Sequence, residues 1–303
     1  MHGMANLDSA QARSTFVTAP DGLKLHVVSY GPLAAAGLPV VCLPGLTRTV
    51  ADFEELAVAL ATDRAQPRRV FALDYRGRGR SDYDRDVANY SVQVELADLI
   101  AVLTALGIGP AVFVGTSRGG IIAMGLAVAR PTALAGVVLN DIGPAIDGKG
   151  LMRIKGYVGR MPTPKNFAEG AEVLRRLFDA QFPKIDAAGW LAGAKRSWED
   201  RGGRLAPTYD ARLATTLKDI DPERPLPPLW KEFDALSGVP VMVVRGANSD
   251  ILSAATVDAM RARRADLAVR IVPDQGHAPL LSESDVIEDI AKFIADCDTR
   301  RPR

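Results

Sequence analysis

Nine consecutive residues, Val112-Phe113-Val114-Gly115-Thr116-Ser117-Arg118-Gly119-Gly120, restrict the fold more than any other feature of the chain. An apolar run suited to a buried strand passes without a loop into G-x-S-x-G. It then enters the apolar helical stretch Ile121–Ala129, which stops before Pro131. A serine on so short a strand-to-helix turn is pushed out from the backbone, and glycines two residues to either side let neighbouring chain pass closely. The free N–H groups that open a helix then face any negative charge forming beside the serine. An ordinary strand–helix turn is the bland alternative; the strand–turn–helix context favours Ser117 as a nucleophile.

The rest of the chain fits that construction. Thr15–Ala19 and Leu23–Tyr30 read as an antiparallel hairpin across Pro20-Asp21-Gly22. Leu23, Leu25 and Val27 fall on one face of it, Lys24 and His26 on the other. Six continuous apolar runs follow at Val40–Leu43, Val70–Leu73, Ala111–Gly115, Gly136–Leu139, Val241–Val244 and Val269–Val272. Strands buried on both faces read this way. Helical patterns alternate with them, so the expected fold is α/β: a mostly parallel eight-stranded sheet flanked by helices. Asp52 with Glu55 resembles a capping box; Ser91, Ser253 and Ser282 read as helix caps. Between Pro144 and Asp234 no strand pattern appears, and nine prolines interrupt helical pieces such as Phe167–Phe178. The expected organisation is a core of 14–143 and 236–296, a helical lid inserted at 144–235, and flexible ends at 1–13 and 297–303.

In these motifs the chain resembles the α/β-hydrolase superfamily, from about Thr15 to Ile294. Leu43-Pro44-Gly45-Leu46 sits where that family's oxyanion loop follows the third strand, with Pro44-Gly45 in place of the His-Gly of many members. Asp74-Tyr75-Arg76-Gly77-Arg78-Gly79-Arg80-Ser81 is similar to the family's D-x-R-G-x-G-x-S. Esterases, enol-lactonases and meta-cleavage C–C hydrolases with a helical cap are closest in character. The resemblance implies that the backbone N–H groups of Leu46 and Arg118 form the oxyanion hole.

Of three histidines, His2 lies in the N-terminal end and His26 reads as a surface residue beside Lys24. His277, in Gln275-Gly276-His277-Ala278-Pro279, follows the last strand, where the family carries its base. Asp250, a few residues past a strand end, is the favoured carboxylate partner; Asp141, at the end of the preceding strand, is the rival that some families use. Asp274 reads as a turn residue. Arg118 and Arg48 are possible grips for a substrate carboxylate. The alternative is a structural role, an ion pair with an acid such as Asp141 for Arg118, and that structural role is the favoured reading for Arg48. Lys149, Arg153, Lys155, Arg160 and Lys165 read as a solvated face.

Composition narrows the classes further. Lys and Arg number 37 against 36 Asp and Glu, a net charge of +1, so no global field points to nucleic acid or an anionic membrane. No segment approaches the roughly 20 apolar residues of a membrane helix. Two cysteines, Cys42 and Cys297, fit a reducing compartment better than a disulfide framework, so a cytoplasmic location is expected. No His, Cys or carboxylate cluster has metal-ligand spacing, and Gly77-Arg78-Gly79 lacks the pattern of a phosphate loop. The expected function is cofactor-free hydrolysis of a small or medium ester, lactone or related acyl substrate. C–C bond hydrolysis of a vinylogous diketone, or ligand binding with little turnover, are the alternatives.

Overall fold

The computed structural model describes residues 12–221, 223 and 226–299. Its core is one eight-stranded sheet in the order β1-β2-β4-β3-β5-β6-β9-β10. The strands are β1 (Arg13–Thr18), β2 (Lys24–Tyr30), β3 (Val40–Leu43), β4 (Val70–Leu73), β5 (Ala111–Thr116), β6 (Leu134–Asn140), β9 (Val241–Gly246) and β10 (Ala268–Val272). The pairs β1/β2 and β2/β4 are antiparallel, and all the others are parallel. Helices α1 (Glu54–Ala61), α2 (Val92–Ala105), α3 (Arg118–Ala129), α8 (Ala254–Arg263) and α9 (Ser284–Thr299) cover the sheet.

Side chains alternate along a strand, and β5 shows what that does here. Val112, Phe113 and Val114 are all fully buried. Phe113 joins Leu99 and Leu103 of α2, Ile122 of α3 and Met260 of α8 on one face. Val112 and Val114 join Leu56 and Leu60 of α1 with Ile290 and Ile294 of α9 on the other. A strand enclosed on both faces has no polar positions, which is why its sequence reads as an unbroken apolar run.

The expected lid span holds α4 (Gly148–Tyr157), α5 (Phe167–Phe178), α6 (Ala187–Ser197) and α7 (Trp230–Asp234). Its own small core brings together Leu174, Phe182, Trp190, Ala194, Trp198 and Leu205. Contrary to the sequence reading, this span also contains an antiparallel hairpin, β7 (Trp198–Asp200) with β8 (Leu205–Pro207). Three-residue strands are too short to show a period. Their signal is the turn, where Gly202 and Gly203 take φ of 68° and 85°.

Other boundaries shift for local reasons. Thr49, not Asp52, caps the turn leading to α1, because the Asp52 carboxylate is taken by Arg48. Ser91 and Ser253 do cap α2 and α8. The last helix opens at Ser284, not after Ser282, and runs through Thr299 with Cys297 buried, past the expected end of the core at 296. Arg13 already belongs to β1, while 1–11, including His2, and 300–303 lie outside the described residues. His26 is not on the surface: it is only 2 % exposed, with Nδ1 2.7 Å from Asp74 Oδ2 and Nε2 2.8 Å from Ser14 Oγ. The loop after β4 folds back over that strand face, which strand alternation alone does not reveal.

Candidate active site

Ser117 sits between β5 and α3 with φ 51° and ψ −113°, a conformation that non-glycine residues seldom adopt. The surrounding close packing imposes it. A Cβ on Gly119 would lie 2.0 Å from the carbonyl oxygen of Leu43, and one on Gly115 would lie 2.5 Å from the nitrogen of Gly120. The turn is fixed further by Ser117 N–H donating to Asn140 O and Gly120 N–H donating to Ser117 O, both at 2.9 Å. Asn140 holds adjoining pieces together, its Nδ2 donating to Thr116 Oγ1 at 3.0 Å and Pro279 O at 3.1 Å.

His277 reaches the same point from the loop after β10. Ser117 Oγ is 2.9 Å from His277 Nε2, and His277 Nδ1 is 2.8 Å from Asp141 Oδ2. The favoured assignment of Asp250 to this position is therefore corrected: Asp141, the rival, occupies it. Asp141 leaves the end of β6 with φ 54° and has no exposed surface. Gly246 N–H at 2.9 Å and Ser249 Oγ at 2.5 Å also donate to its carboxylate. With three donors converging on Asp141, the imidazole proton is placed on Nδ1, leaving Nε2 to accept from Ser117. Ser249 was missed from sequence; its only signal was its place in the loop already singled out for Asp250.

Asp250 belongs to a different contact. Both its oxygens accept from Arg153 of α4, at 2.7 and 2.8 Å, and its carbonyl accepts from Gly150 N–H at 3.1 Å. Burial works against the Asp250 charge, but the Arg153 hydrogen bonds and charge prevail and hold its carboxyl below the ordinary value. Arg153 is thus no part of a solvated face. The sign of the linkage follows from the lowered value. The pair's stabilisation is full above the ordinary aspartate range near pH 4 and is lost as pH falls through the lower folded value. Arg153→Met is expected to cost about 1–3 kcal/mol at pH 7. Melting curves should show a gap from wild type that narrows below about pH 4; a gap equally wide at pH 3 contradicts the role given to Asp250.

Both arginines beside the site are spoken for, in different ways. The Arg118 side chain turns away to Glu95 and to Tyr90 O, at 3.0 Å, so it does not line the cavity and cannot grip a substrate there. Its ion-pair partner is Glu95, not Asp141. Arg48 does line the cavity. Its Nε and Nη2 donate to Asp52 at 2.6 and 2.5 Å, and its Nη1 donates to Ser197 Oγ at 3.1 Å. Burial opposes the Arg48 charge, and Asp52 more than offsets it, so the guanidinium is held above its ordinary value.

A cavity of about 220 Å³ opens on Ser117 and His277, walled below by Gly45, Leu46 and Arg48 and above by α4–α6. Ile154, Tyr157, Leu174, Phe178 and Trp190 make most of that upper wall apolar. The contact is close, for a Cβ on Gly276 would meet the Gln181 side chain at 2.5 Å. As the first residue of α3, Arg118 has a backbone N–H without an intrahelical acceptor. A Cβ on Gly45 would sit 3.8 Å from Ser117 Cβ, so the loop carrying Leu46 passes beside the serine. Among the described residues no group of three His, Cys, Asp or Glu could hold a metal ion, and no helix is long and apolar enough to cross a membrane.

The sheet order and this serine–histidine–aspartate arrangement define a class, and sequence comparison agrees. A model of the alpha/beta hydrolase family matches residues 40–290, and the chain belongs to that family as one of its hydrolytic enzymes. It is similar to a 3-hydroxybutyrate-oligomer hydrolase of Cupriavidus necator, 35% identical over 280 residues, covering 89% of this chain and 94% of the relative. It is similar also to a 2-(acetamidomethylene)succinate hydrolase of Mesorhizobium japonicum, 27% identical over 77% of this chain and 79% of that one. The crystal structure of an alpha/beta hydrolase from Novosphingobium aromaticivorans superposes with a TM-score of 0.86 at 39% identity, covering 97% of this chain and 99% of the other.

Proposed function

We propose that the protein is a serine hydrolase that cleaves a small or medium ester or lactone through an acyl-enzyme. The observation that carries this reading is the continuous relay from Ser117 Oγ through His277 to buried Asp141, opening into a mostly apolar cavity. Ser117 Oγ adds to the substrate carbonyl as His277 Nε2 takes its proton. The carbonyl oxygen carries the charge and accepts from the N–H groups of Leu46 and Arg118. The carbon–oxygen bond then breaks, and His277 returns the proton to the departing alcohol. Water next attacks the acyl-enzyme, giving one proton to His277; the acid leaves and Ser117 regains that proton. Asp141 holds the ring and stabilises the imidazolium that each attack creates. The helices of the 144–235 span act as a lid that walls the cavity and selects the acyl group.

Support for an ester comes from the Cupriavidus relative, named for oligomers of a hydroxy acid, which ester bonds join. The cavity volume of about 220 Å³ supports short and medium chains over long ones. The test is kcat/KM on p-nitrophenyl esters from acetate to palmitate, with lactones alongside. Turnover is expected to peak at short or medium acyl groups and to fall steeply beyond. Binding without turnover of any ester or lactone would overturn the proposal.

A further inference from the structure

We propose that Glu95 is a positioning residue that holds both donors of the oxyanion hole at once, through Arg118 on one side and Arg78 on the other. The inference rests on the serine-hydrolase reading above and gives a residue outside the cavity a part in the same reaction. Glu95 lies in the first turn of α2, and its side chain has no exposed surface. Its Oε2 accepts from Arg118 Nε at 2.5 Å, and Arg78 Nη1 lies 2.7 Å from Oε1. One carboxylate thus gathers two guanidiniums that leave the backbone at different places around the site.

Each guanidinium goes on to fix a stretch of backbone beside Ser117. Arg118 is the residue whose own N–H serves the oxyanion, and its Nη2 donates to Tyr90 O at 3.0 Å, which ties the start of α3 to the segment entering α2. Arg78 Nε donates to Leu46 O at 2.8 Å. The peptide on the other side of Leu46 is held within its turn, where Arg48 N–H donates to Gly45 O at 3.1 Å. A peptide is planar and trans, so fixing Gly45 O on one side aims the Leu46 N–H to the other. Both peptides flanking Leu46 are therefore anchored, the second of them through Arg78 to Glu95.

Charge makes Glu95 the hub of this arrangement. Arg78 is fully buried and the Arg118 side chain is 14 % exposed, so their like charges repel with little screening. Burial holds the Arg78 guanidinium below its ordinary value; Glu95 opposes that effect and Arg118 adds to it. With an amide in place of the carboxylate the repulsion is no longer offset. The two side chains then separate, and Leu46 and the start of α3 move with them. Both arginines stand at unspecified positions of G-x-S-x-G and D-x-R-G-x-G-x-S, so the link belongs to this chain and is not demanded by those motifs.

The test measures Glu95→Gln with two probes that carry the acyl chain of the fastest p-nitrophenyl ester: a trifluoromethyl ketone and the matching trifluoromethyl secondary alcohol. Ser117 Oγ adds to the ketone carbon, its proton passes to His277, and the former carbonyl oxygen takes the negative charge. The alcohol fills the same cavity without forming that charge. Misplacing groups by about 1 Å at a reacting centre can cost about a hundredfold. Glu95→Gln is therefore expected to lower kcat about 10- to 100-fold with KM changed less than about threefold, and to raise the Ki of the ketone by a similar factor while the Ki of the alcohol stays put. Arg118→Met, at the least buried member of the cluster, should show the same pattern at about three- to thirtyfold, and it carries the test if Glu95→Gln does not fold. A folded variant with kcat and ketone Ki near wild type overturns the inference. So does an alcohol Ki that rises in step with the ketone's, which would mark Glu95 as a structural support of the cavity as a whole. Wild-type protein that neither binds the ketone nor is labelled at Ser117 by fluorophosphonate overturns the underlying reading instead.

Discussion

Ser117→Ala is expected to lower kcat on the best ester by about 10⁴- to 10⁶-fold, with an unchanged fold. The size of the effect follows from the relay: without Oγ there is no acyl-enzyme, and His277 has no hydroxyl to activate. What remains is binding and the backbone donors, which assist water only weakly. The fold should survive because alanine meets the same backbone demand as serine. The tight contacts at the turn come from Gly115 and Gly119, which the substitution leaves alone. Esterase assays should be paired with circular dichroism and melting curves. Substantial turnover by a well-folded Ser117→Ala protein would refute the mechanism.

The second large effect separates two aspartates at the same rim of the sheet. Asp141→Asn should reduce kcat by about 10⁴-fold, because an amide there cannot stabilise the imidazolium and favours the wrong ring tautomer. Asp250→Asn should change kcat by less than about tenfold and lower the melting temperature instead, since it weakens one charge-assisted contact to Arg153. KM is the less informative quantity, because neither carboxylate belongs to the cavity lining. The reverse ranking of the two kcat values, at comparable stability, would return the role to Asp250.

The same pair marks how far the sequence could be read. Ser117 was legible because its turn depends on glycines within two residues, and His277 because only three histidines compete. Most of the parallel strands were legible because burial on both faces erases polar alternation, as at Val112–Val114, and the β1–β2 hairpin through the alternation of Leu25 and Val27 with polar neighbours beside a turn. The acid was not legible. Asp141 and Asp250 both follow parallel strands that end on one rim, and what separates them lies elsewhere in the chain. Arg153, about a hundred residues before Asp250, takes that carboxylate, while Gly246 and Ser249 turn their donors toward Asp141. His26 was misread, and the acid that pairs with Arg118 was not identified, for the same reason: their partners Asp74 and Glu95 are remote in sequence, and local pattern carries no record of them.

The central claim, that Ser117 is the activated nucleophile, is tested most directly by mapping a fluorophosphonate adduct. Wild-type protein and Ser117→Ala would be treated with the reagent, digested, and the peptides read by mass spectrometry. The relay predicts one stoichiometric adduct, on the peptide containing Ser117, with loss of ester hydrolysis in step with labelling and no adduct in Ser117→Ala. An adduct on another residue that tracks the loss of activity, or full activity in protein labelled at Ser117, would contradict it.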